Sequence, residues 1–204
     1  MLRGKLFLSG LENISSGMDA SLANMEGKKN LEKLTLKWNG DANNSQVARD
    51  VLDKLRPHSS IKYLKIEGYC GITFPNWLVN PSLSRLESLS LSSCEYCHSL
   101  PTLGQLRFLQ SLEIVGMSCI SDLTQDFYGD THATKPFPSL KKSIIMKMAE
   151  WEYWHIPECD VVSNLEEICI IDCPKQIGEL LKQLVSSLSI EMTGFDKHFL
   201  SNGQ

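Results

Sequence analysis

The 204-residue sequence has no apolar run approaching the ~20 residues that a membrane helix requires. Its one apolar stretch near the start, Leu6-Phe7-Leu8 after Arg3 and Lys5, is too brief for a secretory signal. A basic stripe is also missing. The 20 Lys and Arg are interleaved with 24 Asp and Glu, giving a net charge of −4 and a pI near 5.7, so nothing stands ready to neutralise a phosphate backbone. Nucleic acid and membrane spans therefore drop out as expectations. No phosphate loop is present either: around Gly27-Lys28, Leu22 occupies the place of the first glycine and Lys29 that of the hydroxyl. Proline and glycine are spread along the chain and form no linker, which predicts a single domain over 1–204. Seven cysteines, an odd number in a chain large enough to fold without staples, favour reduced thiols and a cytoplasmic setting.

What the sequence does have is self-similarity. Leu31-Glu-Lys-Leu34-Thr-Leu36-Lys-Trp-Asn39 fits L-x-x-L-x-L-x-x-N/C at every specified position, as do Leu86 to Cys94 and Leu165 to Cys173, with Leu89/Leu91 and Ile168/Ile170 in the central slots. Ile61/Leu64/Ile66 and Leu109/Leu112/Ile114 keep the three aliphatic slots and end at Tyr69 and Met117. Weaker copies stand at Leu6/Leu8, at Leu140/Ser143/Ile145 and at Val185/Leu188/Ile190, giving about seven to eight repeats. The steps between middle slots lie in or just beyond the roughly 20–29 residues of a leucine-rich repeat. In L-x-L the two aliphatic side chains share one face of a short strand, and only stacking against neighbours can cover that face. The expected fold is therefore α/β: a curved leucine-rich-repeat solenoid with short parallel strands on the concave face and irregular turns and short helices on the convex face. The closing Asn or Cys is expected to bond backbone at each bend.

Between the strands, Gln46 to Leu55 places Val47, Val51, Leu52 and Leu55 on one helical side, with Asn43, Asn44 or Ser45 as the cap. Met18, Leu22 and Met25 repeat the pattern weakly; Ile177, Leu180, Leu181 and Leu184 repeat it well. Segments 41–45 and 128–138 read as surface loops. The residues flanking the inward pair of each strand form the candidate protein-binding face: Lys33, Thr35, Lys37, Tyr63, Lys65, Glu67, Ser88, Ser90, Ser92, Ser111, Glu113, Val115, Lys142, Ile144, Met146, Glu167, Cys169 and Ile171. It grades from basic through hydroxylic to apolar. Ser143 sits where an aliphatic side chain belongs, so that repeat is expected to be locally loose or shifted in register by one.

No chemistry competes strongly with binding. Cys94-Glu-Tyr-Cys97-His98 has the C-x-x-C-H spacing of haem attachment, but Cys94 already closes a repeat. Zinc could be sought among Cys94, Cys97, His98, Cys169 and Cys173, which lie on repeats separated by two others. No nucleophile is paired with any of the five histidines, so no catalytic residue, metal ligand or cofactor site is assigned. Trp151-Glu-Tyr-Trp154 reads as packing on the solenoid's ridge before recognition.

The phrases between repeats carry a more specific signal. Arg56-Pro57-His58, Phe74-Pro75-Asn76-Trp77-Leu78, Leu100-Pro101-Thr102-Leu103-Gly104-Gln105-Leu106, Phe127-Tyr128-Gly129, Pro136-Phe137-Pro138-Ser139-Leu140 and Trp151 to Trp154 follow one another in this order. The series resembles the leucine-rich-repeat region of plant intracellular disease-resistance proteins of the coiled-coil, nucleotide-binding class. The match runs from about Leu2 to Lys175 and is poorest over 176–204. The resemblance implies a scaffold for recognition and autoinhibition in defence. Its implied partners are proteins: the receptor's own nucleotide-binding domain, a pathogen effector or a guarded host protein. ATP or ADP would belong to that other domain, not to this chain. The alternative is a free-standing adaptor, such as the substrate-binding module of a ubiquitin ligase.

Overall fold

The computed structural model describes residues 3–40, 44–79, 83–131, 135–155, 164–175 and 189–193. Eight strands lie side by side in one parallel sheet: β1 (Gly4–Ser9), β2 (Leu31–Lys37), β3 (Tyr63–Glu67), β4 (Ser88–Ser92), β5 (Ser111–Val115), β7 (Lys142–Met146), β9 (Glu167–Ile171) and β10 (Ser189–Thr193). Spatial order follows chain order, as a solenoid requires. Two short strands, β6 (Asp122–Leu123) and β8 (Tyr153–Trp154), pair separately in the connecting segments.

The aliphatic ladder is what holds the rungs in register. Leu6, Leu34, Leu64, Leu89, Leu112, Ser143 and Ile168 align across the sheet, and Leu8, Leu36, Ile66, Leu91, Ile114, Ile145 and Ile170 form the next row. From β2 to β9 these side chains are 0–3% exposed, apart from Ser143 at 6%. Each buried leucine or isoleucine contributes about 1.5–3 kcal/mol relative to exposure. A slip by one residue would turn every one of them to solvent. That penalty explains Ser143: its strand neither loosens nor shifts, because Ile145 and the neighbouring rungs fix the register, and Ser143 is carried inward opposite Leu112 and Ile168. There it lines an apolar cavity of about 30 Å³ with Leu112, Phe127, Tyr128, Phe137 and Ile168 among its walls.

At the other weak rung the expected register is wrong by two residues. Ile190, not Leu188, pairs with Ile168, and Met192 pairs with Ile170.

Six of the strands end in the same turn. Gly10, Gly68, Ser93, Gly116, Lys147 and Asp172, one residue past the strand, have φ between 54° and 75°, and the following side chain (Leu11, Tyr69, Cys94, Met117, Met148 or Cys173) turns into the core. Cys94 and Cys173 close their rungs as expected, each thiol reaching the carbonyls of the preceding rung and of its own strand: Ile66 and Ser92 for Cys94, Ile145 and Ile171 for Cys173. Asn39 does not. In its rung Trp38 takes the inward place without a positive φ, while Asn39 is exposed and gives its backbone N–H to Glu12 Oε2 at 2.9 Å.

The convex side is built from α1 (Gly17–Ser21), α2 (Ser45–Lys54) and short 3-10 turns. Asn44 caps α2 by accepting from the N–H groups of Gln46 and Val47, and Ala48, Val51 and Leu52 are buried beneath it. The N–H of Trp77 donates to the Leu52 carbonyl at 3.1 Å, pinning the next rung to the helix. Met18 and Leu22 do not form the expected buried stripe: α1 is only five residues long, and Ala20 and Met25 face inward while Met18 and Leu22 stand 79% and 82% exposed. Nor is 128–138 wholly a surface loop. Tyr128 and Phe137 at its two ends are buried and pack with Phe127 at ring distances of 5.3–6.1 Å, because an aromatic ring offers large area at few rotatable bonds. Residues 41–43 and 132–134, and the Ile177 to Leu184 stripe, lie outside the described residues.

Candidate functional site

The face of the sheet away from the core carries the candidate residues, because side chains alternate along every strand. In β2 to β7 all of them are partly or well exposed. The exception is Cys169 at 8%, which lies between Ile144 and the main chain of β10 and belongs more to the sheet than to its surface.

The basic end is less free than its composition suggests. Glu67 binds two of its lysines, Lys37 at 2.6 Å and Lys65 at 2.8 Å, and these contacts outweigh burial to hold its carboxyl below the usual carboxylate range. Lys33 sits 4.0 Å above the ring of Tyr63, a cation–π contact. At the other end Lys142 and Glu167 pair at 2.6 Å. Between these lie the serines of β4, and here the hydroxyls of Ser90 and Ser92 are enclosed with no hydrogen-bond partner in the protein. Alongside them, Val115, Met146 and Ile171 form one row across three strands, and Ile144 stands in the next. All four remain partly exposed.

Sequence reasoning left out the first strand of this face. Lys5, Phe7 and Ser9 of β1 continue the rows of Lys33, Thr35 and Lys37, and Phe7 is 60% exposed. The signal was legible in Leu6-x-Leu8, whose alternation puts residue 7 outward.

Among the described residues the cysteines form no comparable centre. Cys94 and Cys97 are fully buried, and burial pushes the Cys94 thiol up to about 12 and the Cys97 thiol up as well. Cys173 closes a rung separated from that of Cys94 by β5 and β7, while His98 faces solvent. Trp151 is buried and donates its N–H to the Tyr153 carbonyl; Trp154 packs against it at 5.3 Å and hydrogen-bonds the Tyr128 hydroxyl. Those rings serve packing, with Tyr153 alone 58% exposed.

A sequence model of the family described as R13L1/DRL21 LRRs matches residues 1–117, from β1 through β5. The chain belongs to that leucine-rich-repeat family. Similarity to curated relatives extends over more of the chain than that match. A putative disease resistance RPP13-like protein 1 from Arabidopsis thaliana is 33% identical over 94% of this chain and 20% of its own length. Two proteins from Solanum bulbocastanum are similar: putative disease resistance protein RGA1, 35% identical over 88% of this chain and 16% of its own, and disease resistance protein RGA2, 31% identical over 85% and 19%. The chain thus spans about a fifth of the length of the curated relatives it matches. No solved structure matches it. Among the described residues of this leucine-rich-repeat chain, no helix is long and apolar enough to cross a membrane.

Proposed function

We propose that this leucine-rich-repeat chain acts in the cytoplasm as a recognition and autoinhibition surface of a plant immune receptor, holding proteins by contact and carrying out no catalysis. The observation that carries the reading is the row Val115, Met146 and Ile171 with Ile144 beside it: four aliphatic side chains left partly exposed on a sheet whose register cannot slip to hide them. Exposed contiguous apolar surface of this kind marks a contact site. The names of the relatives supply the setting, defence, and the nucleotide switch implied by the resemblance would lie on a separate domain.

The test is complementation in pieces. The chain is co-expressed in leaf tissue with the RPP13-like relative from which the matching repeats have been removed, and co-purification is measured. Capture by the wild-type chain and its loss in Ile144→Asp/Met146→Asp, with circular dichroism unchanged, is the expected result. Equal capture by the double variant would overturn the assignment of this face.

A further inference from the structure

Of the asparagines in the chain, only Asn39 and Asn202 precede a glycine, and Asn202 lies outside the described residues. Asparagine is thermolabile because the main-chain nitrogen of the next residue can attack its side-chain carbonyl. A following glycine favours the attack, since it has no Cβ to shield that nitrogen and turns freely into line. The surroundings of Asn39 and Gly40 decide whether the folded chain permits it.

Both residues stand exposed just past the end of β2, although Trp38 before them is buried and donates its main-chain N–H to the Glu67 carbonyl at 2.9 Å. A Cβ at Gly40 would meet no atom within 4 Å, and the Gly40 N–H makes no hydrogen bond among the described residues. The attacking nitrogen is therefore neither covered nor tied. Asn39 gives its main-chain N–H to Glu12 Oε2 at 2.9 Å, and its side-chain amide bonds the same carboxylate. That amide is held by its nitrogen, the atom that would leave, while its carbonyl carbon stays open. Asn24 and Asn44 are placed differently: their side-chain oxygens accept from the N–H groups of Gly27 and of Gln46 and Val47, and larger residues follow them.

We propose that Asn39-Gly40 is a self-modifying site, where the folded chain converts its own side-chain amide to a carboxylate and so loosens the bends of its first three rungs. The Gly40 nitrogen attacks Cγ of Asn39: a C–N bond forms, the Cγ–Nδ2 bond breaks, and Nδ2 leaves as ammonia with the proton from the Gly40 N–H. Water then opens the cyclic imide at either carbonyl. The product is aspartate or an isoaspartyl link, in which the main chain runs through the side-chain carbons; one water is consumed for each ammonia released. Either product sets a carboxylate against Glu12 where an N–H donor had been, and like charges repel. The isoaspartyl link also lengthens the main chain ahead of Gly40, whose carbonyl accepts from the Cys70 thiol at 3.2 Å. Glu12 belongs to the rung of β1 and Cys70 to that of β3, so one reaction weakens the hold of the β2 bend on both neighbours.

Peptide mapping of the 204-residue chain after warm storage in neutral buffer tests the reaction. Trypsin releases peptide 38–49, which carries Asn39 together with the cap residue Asn44 as an internal control. Tandem mass spectrometry is expected to place the change of amide to carboxyl at Asn39 well before Asn44 or Asn24. An isoaspartyl methyltransferase with labelled S-adenosylmethionine should mark the same peptide. Gly40→Val keeps the asparagine and the carbonyl that Cys70 meets, fits the open space, and shields the nitrogen; it should bring conversion at Asn39 down to the level of Asn24. The stored wild-type chain and a fresh Asn39→Asp variant should both unfold at lower urea than stored Gly40→Val. Conversion at Asn39 no faster than at Asn24 and Asn44 overturns the proposal, as does rapid conversion that leaves the urea midpoint unmoved. Neither result bears on the contact face around Met146, which lies at the far strands of the sheet.

Discussion

A left-handed residue after a strand, as six of the strands have, is a small demand with a sharp penalty. Gly68 has φ of 68°, and a Cβ there would lie 2.4 Å from the Trp38 carbonyl oxygen. Gly68→Ala is therefore expected to cost about 2–4 kcal/mol, strain and collision combined, read as a lowered urea midpoint. The reverse change at the same kind of position should help: Lys147 holds φ of 55° with a full side chain, and Lys147→Gly is expected to stabilise by up to ~1 kcal/mol. Ser143 offers a third case. Its walls are apolar and a cavity lies beside it, so Ser143→Val should raise the melting temperature by a few degrees, on the order of 1 kcal/mol. The sequence left the repeat at Ser143 either loose or shifted by one, because a sequence does not show that neighbouring rungs fix a strand whose own residue is unfavourable. The exposure of Asn39 was hidden for a related reason: Trp38 competes for the same inward space, and the larger apolar group wins.

Strands and helices respond to different parts of the sequence. The first seven strands of the sheet follow from alternation, whereas α1 had no such guarantee: Met18 and Leu22 are spaced for a helical stripe, but a five-residue helix has no room to bury one. In α2 the helix is long enough, and its start depends on Asn44. Asn44→Ala is expected to cost about 1 kcal/mol and to reduce helical ellipticity slightly on partial denaturation. Across strands β2 and β3, the Lys37–Glu67–Lys65 group ties two rungs together on the exposed face. Because Glu67 titrates below its unfolded value, its contribution is full above that value, about 4.3, and is lost as pH falls through the lower folded value. The acid limb of a stability–pH curve should accordingly be shallower for Glu67→Gln than for wild type. Stability at neutral pH should drop modestly in that variant, since the pair is about a quarter to a third exposed and solvent weakens it.

Taken whole, the molecule is a line of rungs, each supported only by its neighbours, so position along the line sets the cost of damage. Leu89 lies in the middle and is fully buried, while Leu8 lies in the end rung and is only partly covered. Leu89→Ala is expected to cost roughly 2–5 kcal/mol and Leu8→Ala clearly less, measured as unfolding free energies in urea under dilute conditions. The candidate face was readable at this scale because it needs only the strand register. Two things about it were not: that Glu67 ties up two lysines, which depends on side-chain conformation across strands, and that Cys169 is covered, which depends on the strand that follows.

Returning the chain to the same starting point after every strand separates two kinds of change. Connecting segments of unequal length leave the outward residues of successive strands in straight rows, because each bend resets the path before the next strand begins. The exposed face is thus a fixed grid of sites, written by single residues, over a back that can lengthen or shorten freely. A repeat array built this way can exchange its outward side chains one substitution at a time while its frame stays the same.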